Sequence, residues 1–322
     1  MDIIISHKSA LEYWRLHGNT KICDTAARLH RKTPPVSISN IADIRKKAPD
    51  GLSYPIDILV GSQNAKWKSE VFRPRVYTGP TPDGCFVSIG EGMAVSAPQY
   101  LYFQIAGEMP LAKLVQLGLE LCGTYTLPLN DEYSPGEETT DKVLYNQPQF
   151  TNVKALKAFA ARMKGVNGYK KISRALRFIA DGSASPMETI LFILLTLPYK
   201  LGGFGLPAPV LNRRIDIENP AKRGTRKTQY KCDLFWPKAH VAVEYDSDFY
   251  HTGADRIARD SKKRLDLEAH GVTVIPMTSR QIRNPDELEK LARLIARRLR
   301  KRLQYKNPQF KKAQRELRSL LL

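Results

Sequence analysis

Acidic side chains that fall opposite one another on paired strands need a reason to be there. In Tyr230-Lys-Cys-Asp-Leu-Phe-Trp-Pro-Lys-Ala-His-Val-Ala-Val-Glu-Tyr-Asp246, two alternating runs flank a polar break at Pro237-Lys238-Ala239-His240. Alternation with aromatic and β-branched residues reads as two strands, and the break as a hairpin turn. With that break as the turn, Trp236 pairs with Val241 and Asp233 falls opposite Glu244. Successive side chains on a strand alternate faces. Asp233, Glu244 and Asp246 then share one face, and Leu234, Val243 and Tyr245 the other. Like charges directly across a ladder repel, whereas oxygen ligands of this kind suit a divalent cation. The plain alternative is a solvated acidic face. The apolar setting of Phe235, Trp236, Val241, Ala242 and Val243 favours a cation or a proton-transfer site.

The order of these groups resembles the PD-(D/E)XK nuclease core, and more narrowly its branch related to very-short-patch repair endonucleases. The likeness rests on Asp233, on Glu244-Tyr245-Asp246, and on Ser185-Pro186-Met187-Glu188 opening a helix. It extends to His251, to Asp260 and Arg264 on a helix, and to Gly271 before Val272-Thr-Val-Ile275, covering residues 170–285. The resemblance implies an α/β, restriction-endonuclease-like core, a mixed sheet flanked by helices, that hydrolyses DNA phosphodiester bonds with magnesium or manganese. It makes Asp233 and Glu244 metal ligands, with Glu188 a third, direct or through water. The superfamily's usual Lys two positions after the Glu is here Asp246, a departure shared with the repair-endonuclease-like branch. The partner of the attacking water is therefore open between His251, as general acid or base, and Lys231, which lies opposite Asp246 in the hairpin register. Lys231 also has the plainer reading of a cross-strand ion pair with Asp246. Glu188 likewise has a local reading. Ser185 as N-cap, Pro186 at the first position and Glu188 at the third make a capping box. Both readings hold if the helix start faces the metal.

The elements that must carry these groups can be read in outline. The chain has 322 residues, enough for two domains. We expect an N-terminal α/β module over 1–165, acting in nucleic-acid or partner binding, and the nuclease-like domain with a basic tail over 166–322. In the first part, residues 8–17 read as a helix stopped by Gly18, 21–30 as another, and 54–60, 72–78 and 84–89 as strands. Helices are expected over 98–109 and from Pro110 to Cys122, the latter with Leu114, Leu117 and Leu121 on one stripe. Ile5-Ser-His-Lys-Ser-Ala-Leu11 and Ser96-Ala-Pro-Gln-Tyr100 resemble AbiEi-type antitoxin proteins of bacteria. His7, His17 and His30 lack ligand spacing and read as surface or capping side chains. Residues 128–150 read as a linker. A strand is expected over 212–217, a helix over 254–270 and a strand over 272–277.

The net charge of +19 and pI of 9.8 imply a polyanionic partner, DNA or RNA, with an acidic membrane surface as competitor. No apolar run approaches transmembrane length, and Met1-Asp-Ile-Ile-Ile5 is too short and too soon polar for a signal peptide. Cys23, Cys85, Cys122 and Cys232 are scattered, which argues against zinc or disulfides and for a reducing cytoplasm. Lys66-Trp67-Lys68 with Arg73 and Arg75 reads either as a phosphate grip or as a solvated basic loop. Lys222, Arg223, Arg226 and Lys227 form a basic turn suited to phosphate contact. Arg256, Asp260 and Arg264 recur on one helix face, which the resemblance turns toward the active site. In the tail, Leu288, Leu291, Ile295, Leu299 and Leu303 make an apolar stripe beside Arg293, Arg297, Arg300 and Lys301. This reads as an amphipathic basic helix docked on the core with its cations toward DNA. Gly202-Gly-Phe-Gly205 lacks the Lys-Ser/Thr ending of a phosphate loop and reads as a turn.

Three functions follow as expectations. The first is a magnesium-dependent deoxyribonuclease in repair or phage defence. The second is a non-cleaving DNA-binding regulator or antitoxin-like protein with a degenerate nuclease fold. The third is a basic membrane-surface or ribosome-associated protein.

Overall fold

Three consecutive isoleucines, Ile3–Ile5, form a buried strand (β1) that turns within one residue into the helix His7–His17. The computed structural model describes residues 3–18, 28–29, 48–63, 70–90, 92–129, 143–217, 228–246 and 254–322. The architecture is α/β, with mixed sheets flanked by helices. The chain divides into two compact units, which change over between Ile179 and Ala180, with Gly123–Tyr125 and Glu132–Asn146 counted with the second. The expected boundary near 165 falls earlier. The reason is that the helices Val153–Arg162 and Tyr169–Ala175 belong to the first unit's core, where Phe159 packs on Tyr100 and Phe103.

In the first unit, β2 (Arg28–Leu29), β3 (Ile56–Val60), β4 (Phe72–Val76), β5 (Phe86–Gly90) and β6 (Met93–Ser96) join β1 in a sheet ordered β2-β5-β6-β1-β3-β4. β1 runs parallel to β6 and antiparallel to β3, so the first strand of the chain lies inside the sheet. The helix His7–His17 packs on β3 and β6, Pro98–Ile105 packs on that helix and sets Tyr100 against Phe86, and in Leu111–Leu121 the residues Leu114, Leu117 and Leu121 are buried as their spacing predicts. The reading of Arg75 as a phosphate grip does not hold. Its Nε bonds the buried Asp57 carboxylate at 2.8 Å and its guanidinium also pairs with Glu108. A buried carboxylate keeps its charge only with such a partner. Arg73 is half exposed and lies 3.7 Å from the same carboxylate. His7 opens its helix with its ring on Ser6 Oγ, and His17 stacks on Tyr13. The expected helix over 21–30, His30 and the Lys66-Trp67-Lys68 loop lie largely or wholly outside the described residues.

After a two-stranded sheet of β7 (Tyr125–Thr126) and β8 (Leu144–Tyr145), the strands β9 (Val210–Ile217), β10 (Thr228–Trp236), β11 (Val241–Asp246) and β12 (Thr273–Thr278) of the second unit form a sheet ordered β12-β11-β10-β9. The β10–β11 hairpin has the register read from its alternation, with Trp236 opposite Val241. Its turn is a single 3-10 turn closed by His240 at φ +51°. β11 and β12 run parallel, which requires a crossover. The helix Ala254–Ala269 supplies it and stops at Gly271, φ +77°. Leu267 from that helix joins Cys232, Phe235, Ala242 and Val272 in one apolar cluster. The helix Pro186–Thr196 is buried along its whole length and packs against β10.

The tail is two helices rather than one. Pro285–Arg298 buries Leu288, Leu291 and Ile295, but Arg300 at φ +51° breaks the pattern, so Leu299 and Leu303 fall past its end. Pro308–Leu321 follows and lies against the Gly202 turn. A Cβ on Gly202 would stand 2.3 Å from the Ala313 carbonyl oxygen, and one on Gly203 2.2 Å from that of Leu197. The glycines are therefore there for close backbone approach.

Candidate functional site

Glu188 is placed by the start of its helix. Ser185 Oγ accepts the Glu188 N–H at 3.1 Å, which is the first half of the capping box. The second half is displaced by one residue, because the Glu188 carboxylate accepts the Ala184 N–H at 3.0 Å rather than the N-cap's own. The same Oε2 accepts Asn212 Nδ2 at 2.6 Å. Asn212 sits on β9 at φ +50° and also donates to the Gly182 carbonyl. Asn is one of the few residues that tolerate this left-handed conformation. Glu188 is 5 % exposed. Burial raises its pKa, against the lowering effect of these hydrogen bonds and of the Lys231 charge.

Asp233 stands one step past the last ladder pair of the hairpin, Leu234 with Val243. Its Oδ2 accepts the Tyr245 N–H at 2.9 Å, so a side chain replaces the backbone partner and the β10–β11 ladder ends there. β10 continues paired with β9, skipping only the Asp233 and Asn212 positions. Strict alternation breaks at this point. Cys232 and Phe235, of opposite parity, enter the same apolar cluster. Burial, then the Glu188 charge, then the Glu244 charge raise the Asp233 pKa well above the ordinary carboxylate range. The sharing of one simple face by Asp233, Glu244 and Asp246 is thus replaced by a kinked arrangement. It still brings Asp233 under the influence of the Glu188 and Glu244 charges.

Glu244 is held by a residue that sequence reasoning missed. Lys263 Nζ lies 2.7 Å from Glu244 Oε2, with side chains 23 % and 18 % exposed. Glu244 Oε1 is buried and has no hydrogen-bond partner of ordinary geometry. Burial alone would lower the Lys263 pKa, but Glu244 and then Asp233 outweigh it and raise it. The buried Cys232 thiol lies beside this carboxylate and is pushed up to about 12, by burial first and Glu244 second. The crossover helix therefore turns Lys263 and Leu267 to the sheet, whereas Asp260 and Arg264 are exposed. The signal for Lys263 was its place one turn before Leu267, a buried apolar residue of the helix.

The other expected groups are placed as follows. Asp246 is exposed at the end of β11, and among the described residues Lys231 makes no ion pair with it. The cross-strand pair expected for Lys231 fails because the hairpin ladder has already ended. Lys231 instead lies across from Arg214 on β9, and its charge acts on Glu188. Arg297, Arg300 and Lys301 are exposed. Lys222, Arg223, Arg226, Lys227 and His251 lie outside the described residues, as does the Arg256 side chain. Among the described residues, no three His, Cys, Asp or Glu side chains form a group able to hold a metal ion. No helix among them is long and apolar enough to cross a membrane.

Known proteins offer little further assignment. No protein-family model matches the chain, and no solved structure matches it. Two curated proteins of Mycobacterium tuberculosis do: the uncharacterized protein MT2308 of strain CDC 1551 / Oshkosh and the uncharacterized protein Rv2248 of strain ATCC 25618 / H37Rv. Each is 30% identical over 140 residues, or 43% of this chain and 46% of the relative. The match thus spans about half the length of the curated relatives.

Proposed function

We propose that the second unit is a metal-dependent nuclease that hydrolyses DNA phosphodiester bonds. The observation that carries the reading is Asp233 on β10, held by the Tyr245 N–H and acted on by the charges of Glu188, from a helix, and of Glu244, on β11. Magnesium and manganese are held by one or two carboxylates, with waters and substrate phosphate completing the shell. Asp233 and Glu244 would hold the ion, with Glu244 Oε1 facing no donor stronger than the neighbouring Cys232 thiol. When bound, the metal activates water and neutralises charge growing on the phosphate. Glu188, fixed by Ala184 and Asn212, keeps a third carboxylate beside Asp233. Lys231, Arg213 and Arg214 put exposed cations on neighbouring strands next to these acids, and Arg297, Arg300 and Lys301 add more on the tail. Such cations grip a phosphate backbone without reading its sequence.

One observation favours the second reading, a DNA-binding regulator that does not cut. Lys263 already pairs with Glu244 at 2.7 Å, where the metal would sit. Supercoiled plasmid incubated with the chain, with magnesium, manganese or a chelator, separates the two. Cleavage that needs the metal and disappears in a folded Asp233→Ala variant supports the nuclease. Tight, salt-sensitive binding without cleavage overturns it in favour of the regulator. Binding to anionic vesicles and not to DNA overturns both.

A further inference from the structure

We propose that Lys263 is a resident counter-cation that a divalent metal must displace, so that the chain limits its own metal loading. This rests on the two-carboxylate metal reading above. Carboxylates withdrawn from water and set near one another are costly unless a positive charge accompanies them. Here the charge is built in. Lys263 is bonded to Glu244 Oε2 at 2.7 Å, and Asp233 is the next acid whose charge acts on it. Its position is fixed by the helix beneath it. Leu267, one turn on, is wholly buried in the cluster with Cys232, Phe235 and Ala242. The neighbouring cations Lys262 and Arg264 are exposed and cannot take its place without turning the helix.

An ammonium and a divalent ion on the same carboxylate repel each other, strongly so where water is partly excluded. Glu244 therefore serves one or the other. In the metal-free chain Lys263 satisfies one oxygen and leaves Oε1 unpartnered. For the metal to take Glu244, Lys263 must swing out toward solvent, which its 23 % exposure allows. The two cations are then coupled negatively, and by linkage each weakens the other's hold equally.

Calorimetric titration of the full chain with manganese tests this. Lys263→Met keeps the apolar stem and removes the charge. It is expected to bind manganese about tenfold more tightly than the parent, a usual size for coupling between two ligands. Lys263→Arg keeps the charge and is expected to bind like the parent. The metal-free Lys263→Met chain is expected to melt below the parent, with the gap closing at saturating manganese. Should Lys263→Met fail to fold, Lys263→Gln, which keeps a hydrogen-bond donor, carries the same expectation. If the parent binds manganese and the uncharged variants bind it equally or less well, Lys263 is no competitor, while the metal reading stands. If neither parent nor variants bind manganese, the metal reading and this inference fall together.

Discussion

Replacing Asp233 with Asn should stabilise the metal-free protein at neutral pH, although it removes a group proposed to act in catalysis. Asp233 is partly buried beside Glu188 and Glu244, and its carboxyl is held well above the ordinary range by burial and by those charges. In general, carboxylates at ~5 Å repel by ~3 kcal/mol at an effective dielectric of about 20, and the Lys263 charge offsets part of such repulsion at Asp233. Against this stands the charge-assisted bond from the Tyr245 N–H, worth ~1.5–3 kcal/mol, part of which a neutral amide oxygen retains. Together these leave a gain of ~1–2 kcal/mol, or roughly 2–8 °C in melting temperature for a unit of this size. The pH dependence fixes the sign. An acid whose folded pKa is raised binds its proton more readily in the folded chain, so stability falls as pH rises from the unfolded value through the folded one. The gain of Asp233→Asn should therefore grow as pH rises above the unfolded value and be full only once the folded pKa is passed. It should vanish below pH ~4, where the unfolded aspartate is itself protonated. Thermal melts in chelator across that range would measure it. An Asn variant no more stable than the parent at pH 7, or a gain that grows in acid, refutes the crowding of carboxylates on which the site rests.

Other perturbations follow from the same geometry. Asn212→Gly keeps the left-handed backbone but removes both amide donors. It should cost ~1–2 kcal/mol in urea denaturation, chiefly by releasing Glu188. Gly203→Ala would press a Cβ to 2.2 Å from the Leu197 carbonyl oxygen and should lower stability by ~1–3 kcal/mol, read by the same method. Reversing the tail cations in an Arg297→Glu, Arg300→Glu, Lys301→Glu variant should weaken DNA binding at low salt. The slope of log affinity against log salt should also flatten by roughly 1 for each phosphate that is no longer neutralised, as seen in titrations on labelled duplex.

The hairpin was legible because two independent signals agreed on it. The alternation set the faces, and the Pro237–His240 break set the register, which the structure reproduces at Trp236 and Val241. Helix starts and stops were legible for the same kind of local reason, as at Ser185, Gly18 and Gly271. Lys263 was not legible. The rotation of its helix about its axis is set by how Leu267 seats on the sheet, and the stripe read from Arg256, Asp260 and Arg264 passed over Lys263, which lies on the same side of the helix. The Asn212 kink was hidden as well, since a positive φ within a strand leaves no periodic trace. In the tail, one apolar stripe suggested a single helix, but Arg300 turns the backbone before the stripe ends. Long-range order in the first sheet, where β1 sits between β6 and β3, depends on pairings between distant segments that local pattern does not encode.

The most direct measurement is an anomalous-scattering map from crystals of the chain grown with manganese. A metal site at the hairpin predicts a peak bonded to Asp233 and Glu244, with the Lys263 ammonium withdrawn from Glu244 and Glu188 within reach of the ion or of a water bound to it. Strong manganese peaks elsewhere, with Lys263 still on Glu244 and nothing between the two strand carboxylates, would contradict it.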